Sequence, residues 1–482
     1  MVRRKERAPT SRVRFGFSRV DITPPVGIYH RMWGAARHDR AKGVHRPILG
    51  DVLVFGSVDA PGEIRLVRAH LDLVGLVARQ YTALVTSLGD AAGVGPERVD
   101  VTFSHTHASG WYAPDRFVMP GGELIEPFLK EVGNKLAKAC GEAISGMGEA
   151  LVTFATGHCN MAADRDYRDD AFGGFVCGYN PEGDGDDTLL VGRLCDGDGR
   201  AVATVVNYAC HPTTLAWENT LISPDYVGAM RDEVERVTGA PCTFALAPCG
   251  DLGPKDGFVG DLDVAEKNGR QLGFAVLSVL MSMGPPGTDF EYQGPVISGA
   301  TIGTWAHAAF GRDRLREVSV FAGGVYSVDL PMKKRQDPET LQDELARWSE
   351  AERAADSAGD AVEARTCGAR AERARRWLAR IANLPPGETY PYRFSVYRMG
   401  DAVWVTCGGE PYSDLQVALR RRFPGFAILV SPLAGNVQVA YLLRKDAYGK
   451  GLYQEEPSSL APGCLEILTG AIAERIEEIT AE

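Results

Sequence analysis

Nine histidines occur among 482 residues, and three of them sit where their chemistry could be used. His105 and His107 flank Thr106 just after the apolar run Val99-Asp100-Val101-Thr102-Phe103. Side chains alternate along a strand, so a strand continued through this segment would project both imidazoles from one face. Two imidazoles on one face suit a metal, or one ligand beside one substrate-polarising group; a pair of hydrogen-bonded structural histidines is the plainer reading. His211 lies in Asn207-Tyr208-Ala209-Cys210-His211-Pro212, where the proline ends the ladder and leaves the histidine at a strand end. Two strand ends that each deliver a histidine are what a zinc site needs.

Two further segments supply oxygen and backbone groups. Ala247-Pro248-Cys249-Gly250-Asp251-Leu252-Gly253-Pro254 follows an apolar run and reads as a tight loop. Its N–H groups could face a substrate oxyanion, and Asp251 could orient a ligand histidine or merely cap a turn. Glu410 follows the glycines of Cys407-Gly408-Gly409-Glu410-Pro411-Tyr412. Beyond it come Asn436, Tyr441, Tyr448 and Tyr453, polar and phenolic groups of a type that most often packs.

The elements that must position these residues follow from hydrophobic pattern. Residues 52–58, 64–69, 99–103, 151–156, 189–194, 203–208, 243–246, 394–398, 402–406 and 427–430 read as strands. Helical patterns such as 123–144 and 229–237 alternate with them. The expectation is an α/β fold, a layered mixed β-sheet domain with flanking helices. The turn Asp196-Gly197-Asp198-Gly199 is a hairpin signal, which is why the sheet should be mixed. Residues 173–187, rich in Gly and Asp, read as a long loop without the acidic spacing of a calcium-binding EF-hand. Residues 338–382 read as an inserted helical hairpin, broken near 357–359, whose plain role is structural or a subunit contact.

A net charge of -11 argues against nucleic acid and against docking on anionic membranes. The basic N-terminus has no apolar core of a signal peptide, and no long uncharged apolar run predicts a membrane span. The expected location is therefore cytoplasmic. The ten cysteines form no CxxC pair, so they should be buried thiols. The expected partner is a small-molecule substrate, with no stable membrane insertion and a homo-oligomer allowed.

Taken together, these segments resemble the catalytic domain of the neutral/alkaline ceramidase family. The resemblance is carried by Gly16-Phe17-Ser18-Arg19-Val20-Asp21-Ile22-Thr23-Pro24, His70-Leu71-Asp72-Leu73, Phe103-Ser104-His105-Thr106-His107 and Asn207 to Pro212. It continues through Ser223-Pro224-Asp225-Tyr226-Val227-Gly228, Cys249 to Pro254, Gly408-Gly409-Glu410 and Tyr441 to Tyr453. It implies one Zn²⁺ held by His105, His211, Glu410 and Tyr441, with His107 polarising the scissile carbonyl and Tyr453 assisting its oxyanion. Arg165, in Ala163-Asp164-Arg165-Asp166-Tyr167, resembles the family's substrate-side arginine. Gly253, Asp251 and Asn436 fall on the substrate side of the same site. Zinc would lower the pKa of a bound water towards about 7.

The chain departs from that family in ways that bear on substrate. Gly253 stands where the ceramidases carry a serine, and Ala108-Ser109-Gly110 stands where they have Ser-Gly-Pro. Export is not signalled, and the family's C-terminal immunoglobulin-like domain is expected to be absent. The expected activity is hydrolysis of an amide (N-acyl) bond in a small soluble molecule. Ester, lactone or lactam opening at the same site is the alternative, as is a zinc-binding scaffold whose catalysis has lapsed.

Overall fold

The computed structural model describes residues 4–435 and 437–481. Eight strands form its central sheet: β1 (Thr10–Asp21), β2 (Leu49–Gly56), β3 (Ile64–Leu71), β4 (Val99–Phe103), β5 (Gly148–His158), β6 (Thr188–Asp196), β7 (Ala201–Tyr208) and β8 (Cys242–Leu246). Their order is β8-β7-β6-β5-β1-β2-β3-β4. The inner pairs are antiparallel and the outermost pairs, β7/β8 and β3/β4, are parallel. The turn at Asp196-Gly197-Asp198-Gly199 joins β6 to β7, with Gly199 in the left-handed region at φ 79°. The two edge strands, β4 and β8, approach each other. The sheet is therefore curled enough to bring its two parallel edges, and the loops leaving them, to one place.

A second sheet contains β9 (Phe321–Pro331), β10 (Thr389–Met399), β11 (Ala402–Cys407) and β12 (Ala427–Ser431), in that order, with the last pair parallel. Its strand β11 is buried on both faces, and the period of two divides it cleanly. Ala402 and Trp404 pack with Phe15, Phe55 and Phe154 of the first sheet. Val403, Val405 and Cys407 pack the other way, against Leu465, Leu468 and Ile472. The far face of the first sheet is covered by α1 (Ala78–Ala92), α2 (Ile125–Ser145), α3 (Tyr226–Thr238) and α4 (Leu262–Ser282). Two long helices, α5 (Pro338–Ser357) and α6 (Ala361–Ile381), lie in sequence between the neighbouring strands β9 and β10. The helix α7 (Cys464–Thr480) closes the outer face of the second sheet. The result is a mixed α/β architecture of four layers: helices, sheet, sheet, helix.

One expectation needs correction, and one element was not anticipated. Part of 173–187 is a strand, Gly174–Cys177, paired antiparallel with Asp166–Asp169. A long hairpin, Thr288–Ser298 with Ala300–Ala309, gave no signal, because most of its residues are exposed on both faces and no alternation marks them. All ten cysteines are free, and every one but the partly buried Cys177 is buried. Among the described residues no helix is long and apolar enough to cross a membrane.

Candidate metal centre

His105 and His107 meet, but not by strand alternation. The strand β4 ends at Phe103, and His105 adopts φ 66°, a left-handed conformation that costs a non-glycine residue strain. Its N–H bonds the Leu73 carbonyl at 3.0 Å, and the reversed chain lets His107 N–H reach the Pro212 carbonyl at 3.3 Å. That last bond splices the loop leaving β4 to the loop leaving β7, where His211 is completely buried. Ring centroids of His105 lie 4.8 Å from His107 and 5.1 Å from His211. One nitrogen from each of the three imidazoles can be taken so that all lie within 4.8 Å of one another.

Both inner histidines are held from behind. His105 Nδ1 donates to the Val74 carbonyl, and His211 Nδ1 lies 2.7 Å and 3.1 Å from the carbonyls of Cys249 and Leu252. A proton fixed on Nδ1 leaves Nε2 as the electron-pair donor facing inwards, the arrangement typical of metal-ligating histidine. Asp251 does not orient His211: its carboxylate takes Ser413 N and Ser413 Oγ, each at 2.6 Å. The carbonyls on either side of it do that work. Nor are the loop's N–H groups free for an oxyanion throughout, since Gly250 and Leu252 donate to Pro411 and Cys249. Gly250 is required by close approach, because a Cβ there would stand 2.6 Å from the Glu410 carbonyl oxygen.

Glu410 enters from the second sheet, three residues after β11. Its Oε2 is 3.0 Å from His211 Nε2 and 3.5 Å from His105 Nε2, and His107 Nε2 is 3.3 Å from His105 Nε2. A short parallel bridge sets Glu410 beside Tyr441, immediately after Ala440, which is another non-glycine residue at positive φ (53°).

The electrostatics define what this cluster fits. Burial, reinforced by the Arg165 cation, pushes the His211 imidazole down to about 4, so it is neutral near pH 7. Burial opposes ionisation of Glu410, but the neighbouring imidazoles, His105 foremost, outweigh it and hold the carboxyl well below its usual range. A neutral His211 with its proton on Nδ1 cannot donate to Glu410. Its Nε2 and the carboxylate oxygen are then two electron-rich atoms at 3.0 Å, which suits a cation bound by both. Nitrogen and hard oxygen donors together favour Zn²⁺ over Mg²⁺.

The other sequence candidates fall around this centre. The ring of Tyr441 lies 6.3 Å from that of His211 and 5.9 Å from that of Tyr453. The Arg165 guanidinium is 5.5 Å from the Tyr441 ring centroid and donates to the Gly250 carbonyl at 2.7 Å. Tyr453 is 50% exposed and stands at the rim, whereas the Tyr448 hydroxyl bonds the Leu460 carbonyl. A Cβ at Gly253 would meet only Arg165 Cδ and Thr213 Oγ1, both at 3.8 Å. Asn436 lies outside the described residues. Sequence reasoning missed Trp33, whose ring is 5.0 Å from His107, and Phe258, 5.6 Å from Trp33 and held at φ 57°. Nothing periodic marks either residue.

Fold and site define a class: a double-sheet α/β protein whose strand-end loops converge a histidine–carboxylate cluster. Comparison with family profiles and with characterised protein sequences gave no match. Solved structures do match. One is a ceramidase complexed with C2, with TM-score 0.65 and 15% identity, over 98% of this chain and 76% of that one. Another is the neutral ceramidase from Pseudomonas aeruginosa, with TM-score 0.65 and 16% identity, over 98% and 75%. The chain has a ceramidase-like fold, far diverged in sequence.

Proposed function

We propose that the protein is a zinc-dependent hydrolase that cleaves an amide (N-acyl) bond of a small soluble substrate. The observation that carries this reading is the inward Nε2 of His105 and His211 converging on Glu410. His105, His211, Glu410 and Tyr441 would hold the metal. When bound, zinc supplies a Lewis acid and lowers the pKa of water towards about 7.

The remaining residues have separable duties. Burial, with the neighbouring His105 and His211, pushes His107 well below the usual range, so it serves as a neutral imidazole. From there it can polarise the scissile carbonyl through a hydrogen bond. Burial keeps the Tyr441 phenol protonated in the free protein, while Arg165 beside it works in the opposite sense. Tyr453, at the rim, would donate to the oxygen that gains charge as the carbonyl is attacked. Water adds to the carbonyl carbon, the C–N bond breaks, and the departing amine takes the proton. The ceramidase-like fold supports amide chemistry, and Gly253 supports a substrate other than ceramide.

The test is a panel of N-acyl, ester and lactam substrates offered to zinc-supplied wild type and to His107→Ala. The expected result is N-acyl hydrolysis that falls about a hundredfold or more in the variant with zinc content unchanged. Hydrolysis of esters or lactams alone would replace the amide reading, and no hydrolysis of any member would overturn it.

A further inference from the structure

The helical hairpin touches three of the segments around the centre. On one side, Arg376 donates to the Met32 carbonyl and Gly34 lies close enough to α6 that a Cβ would stand 3.3 Å from Ala369. Between them is Trp33, packed on His107. On the other side, Trp377 Nε1 donates to Glu456 at 2.7 Å and Arg373 pairs with it at 2.6 Å, three residues beyond Tyr453. At the base of the helix, Gln438 donates to the Arg380 carbonyl at 2.9 Å, three residues before Tyr441. The C-terminal turns of α6 thus form part of the wall around the site.

One cation on that wall is treated unlike the protein's structural arginines. Arg68, Arg116 and Arg231 are buried and each meets a carboxylate: Asp100 at 3.1 Å, Glu372 at 2.7 Å and Asp72 at 3.0 Å. This is how a fold satisfies a guanidinium that it uses for packing. Arg380 is partly buried, and no carboxylate among the described residues lies within 4.0 Å of it. Its guanidinium rests on the face of Trp377, 4.9 Å from the ring centroid. Burial lowers its pKa below that of an ordinary arginine, against the pull of Glu456 foremost, and the Gln438 bond to its carbonyl sets it beside the segment that carries Tyr441.

We propose that the hairpin is a specificity element, and that Arg380 is the docking point for a carboxylate carried by the substrate. The inference rests on the hydrolase reading for calling the ligand a substrate. The carboxylate site itself stands on the hairpin's contacts and on the unpaired guanidinium. Guanidinium and carboxylate match as a planar, bidentate pair. The aromatic wall of Trp33, Trp217 and Phe258 beside His107 would accept a flat or apolar remainder.

Phenylacetate and its neutral isostere 2-phenylacetamide serve as probes, titrated calorimetrically into wild type, Arg380→Met and Arg380→Lys. Wild type should bind the acid about tenfold or more tightly than the amide, a charge-assisted preference. Arg380→Met should lose that preference, and Arg380→Lys should keep part of it, with melting temperature and zinc content unchanged in both. A preference that survives in Arg380→Met, or none in wild type, overturns the proposal. Because binding is read directly, a protein that hydrolyses nothing would sink the hydrolase reading and leave this result intact.

Discussion

Arg116 and Glu372 meet in a two-pronged ion pair, at 2.9 Å and 2.7 Å, with both side chains buried. Arg116 follows the histidine loop, and Glu372 lies mid-way along α6. This pair anchors the hairpin to the wall of the site, and Arg375 and Arg376 add their own bonds to the same carboxylate. Burial opposes ionisation of Glu372, yet the arginines prevail and hold its carboxyl far below the usual range.

Removing one partner should therefore cost far more than removing both. Glu372→Ala leaves the buried Arg116 without its two-pronged partner and with only the Asp115 carboxylate, 3.2 Å from its Nε, and should lower stability by about 3 kcal/mol in urea unfolding. Arg116→Met combined with Glu372→Leu should recover most of that loss. A single variant within about 1 kcal/mol of wild type would show that the hairpin is held elsewhere.

Acid should weaken the metal-free protein through His211. Its imidazole is held at about 4 by burial first and Arg165 second, against about 6.5 when unfolded. The folded state binds fewer protons in that window, so the contribution is complete above about 6.5 and is lost as pH falls towards 4. Asp251 works the other way: burial raises it to about 7, so its contribution is lost as pH rises. The two are separated by variants. The stability difference between wild type and His211→Gln should change steadily from pH 6.5 to 4 in denaturant titrations, in the direction that favours the variant in acid. A difference independent of pH would contradict the shift.

Gly253→Ser should fold as well as the wild type. A Cβ there meets nothing closer than 3.8 Å, so the glycine is not demanded by packing. Melting temperature should stay within about 2 °C. The hydroxyl would enter the space beside Arg165 and Thr213, and kcat/KM for bulky N-acyl substrates should fall relative to N-acetyl ones. An unchanged ratio would show that substrate does not use this space.

Much of the fold was legible because its strands are short apolar runs at regular intervals and the cores lie on both of their faces. The strands expected at 64–69, 99–103 and 203–208 form at Ile64–Leu71, Val99–Phe103 and Ala201–Tyr208, two of them longer by two residues. The exposed hairpin over Thr288–Ala309 was not, since a strand without a buried face has no period to read. At the site, residue types exposed His105, His107, His211 and Glu410, but not how they meet. That depends on the curl of the first sheet and on a left-handed turn at His105. The groups that orient the histidines are backbone carbonyls of Val74, Cys249 and Leu252, which side-chain identity does not encode. The Met32–Gly34 segment that carries Trp33 meets α6 only through docking between segments hundreds of residues apart.

The central claim is that these loops build a metal site, and metal content tests it most directly. Purified wild type and His211→Ala would be compared by plasma mass spectrometry after zinc is supplied. The account predicts about one zinc per chain in wild type and little in the variant, as expected for loss of a ligand. Absence of bound metal from both proteins, or equal zinc in both, would contradict it.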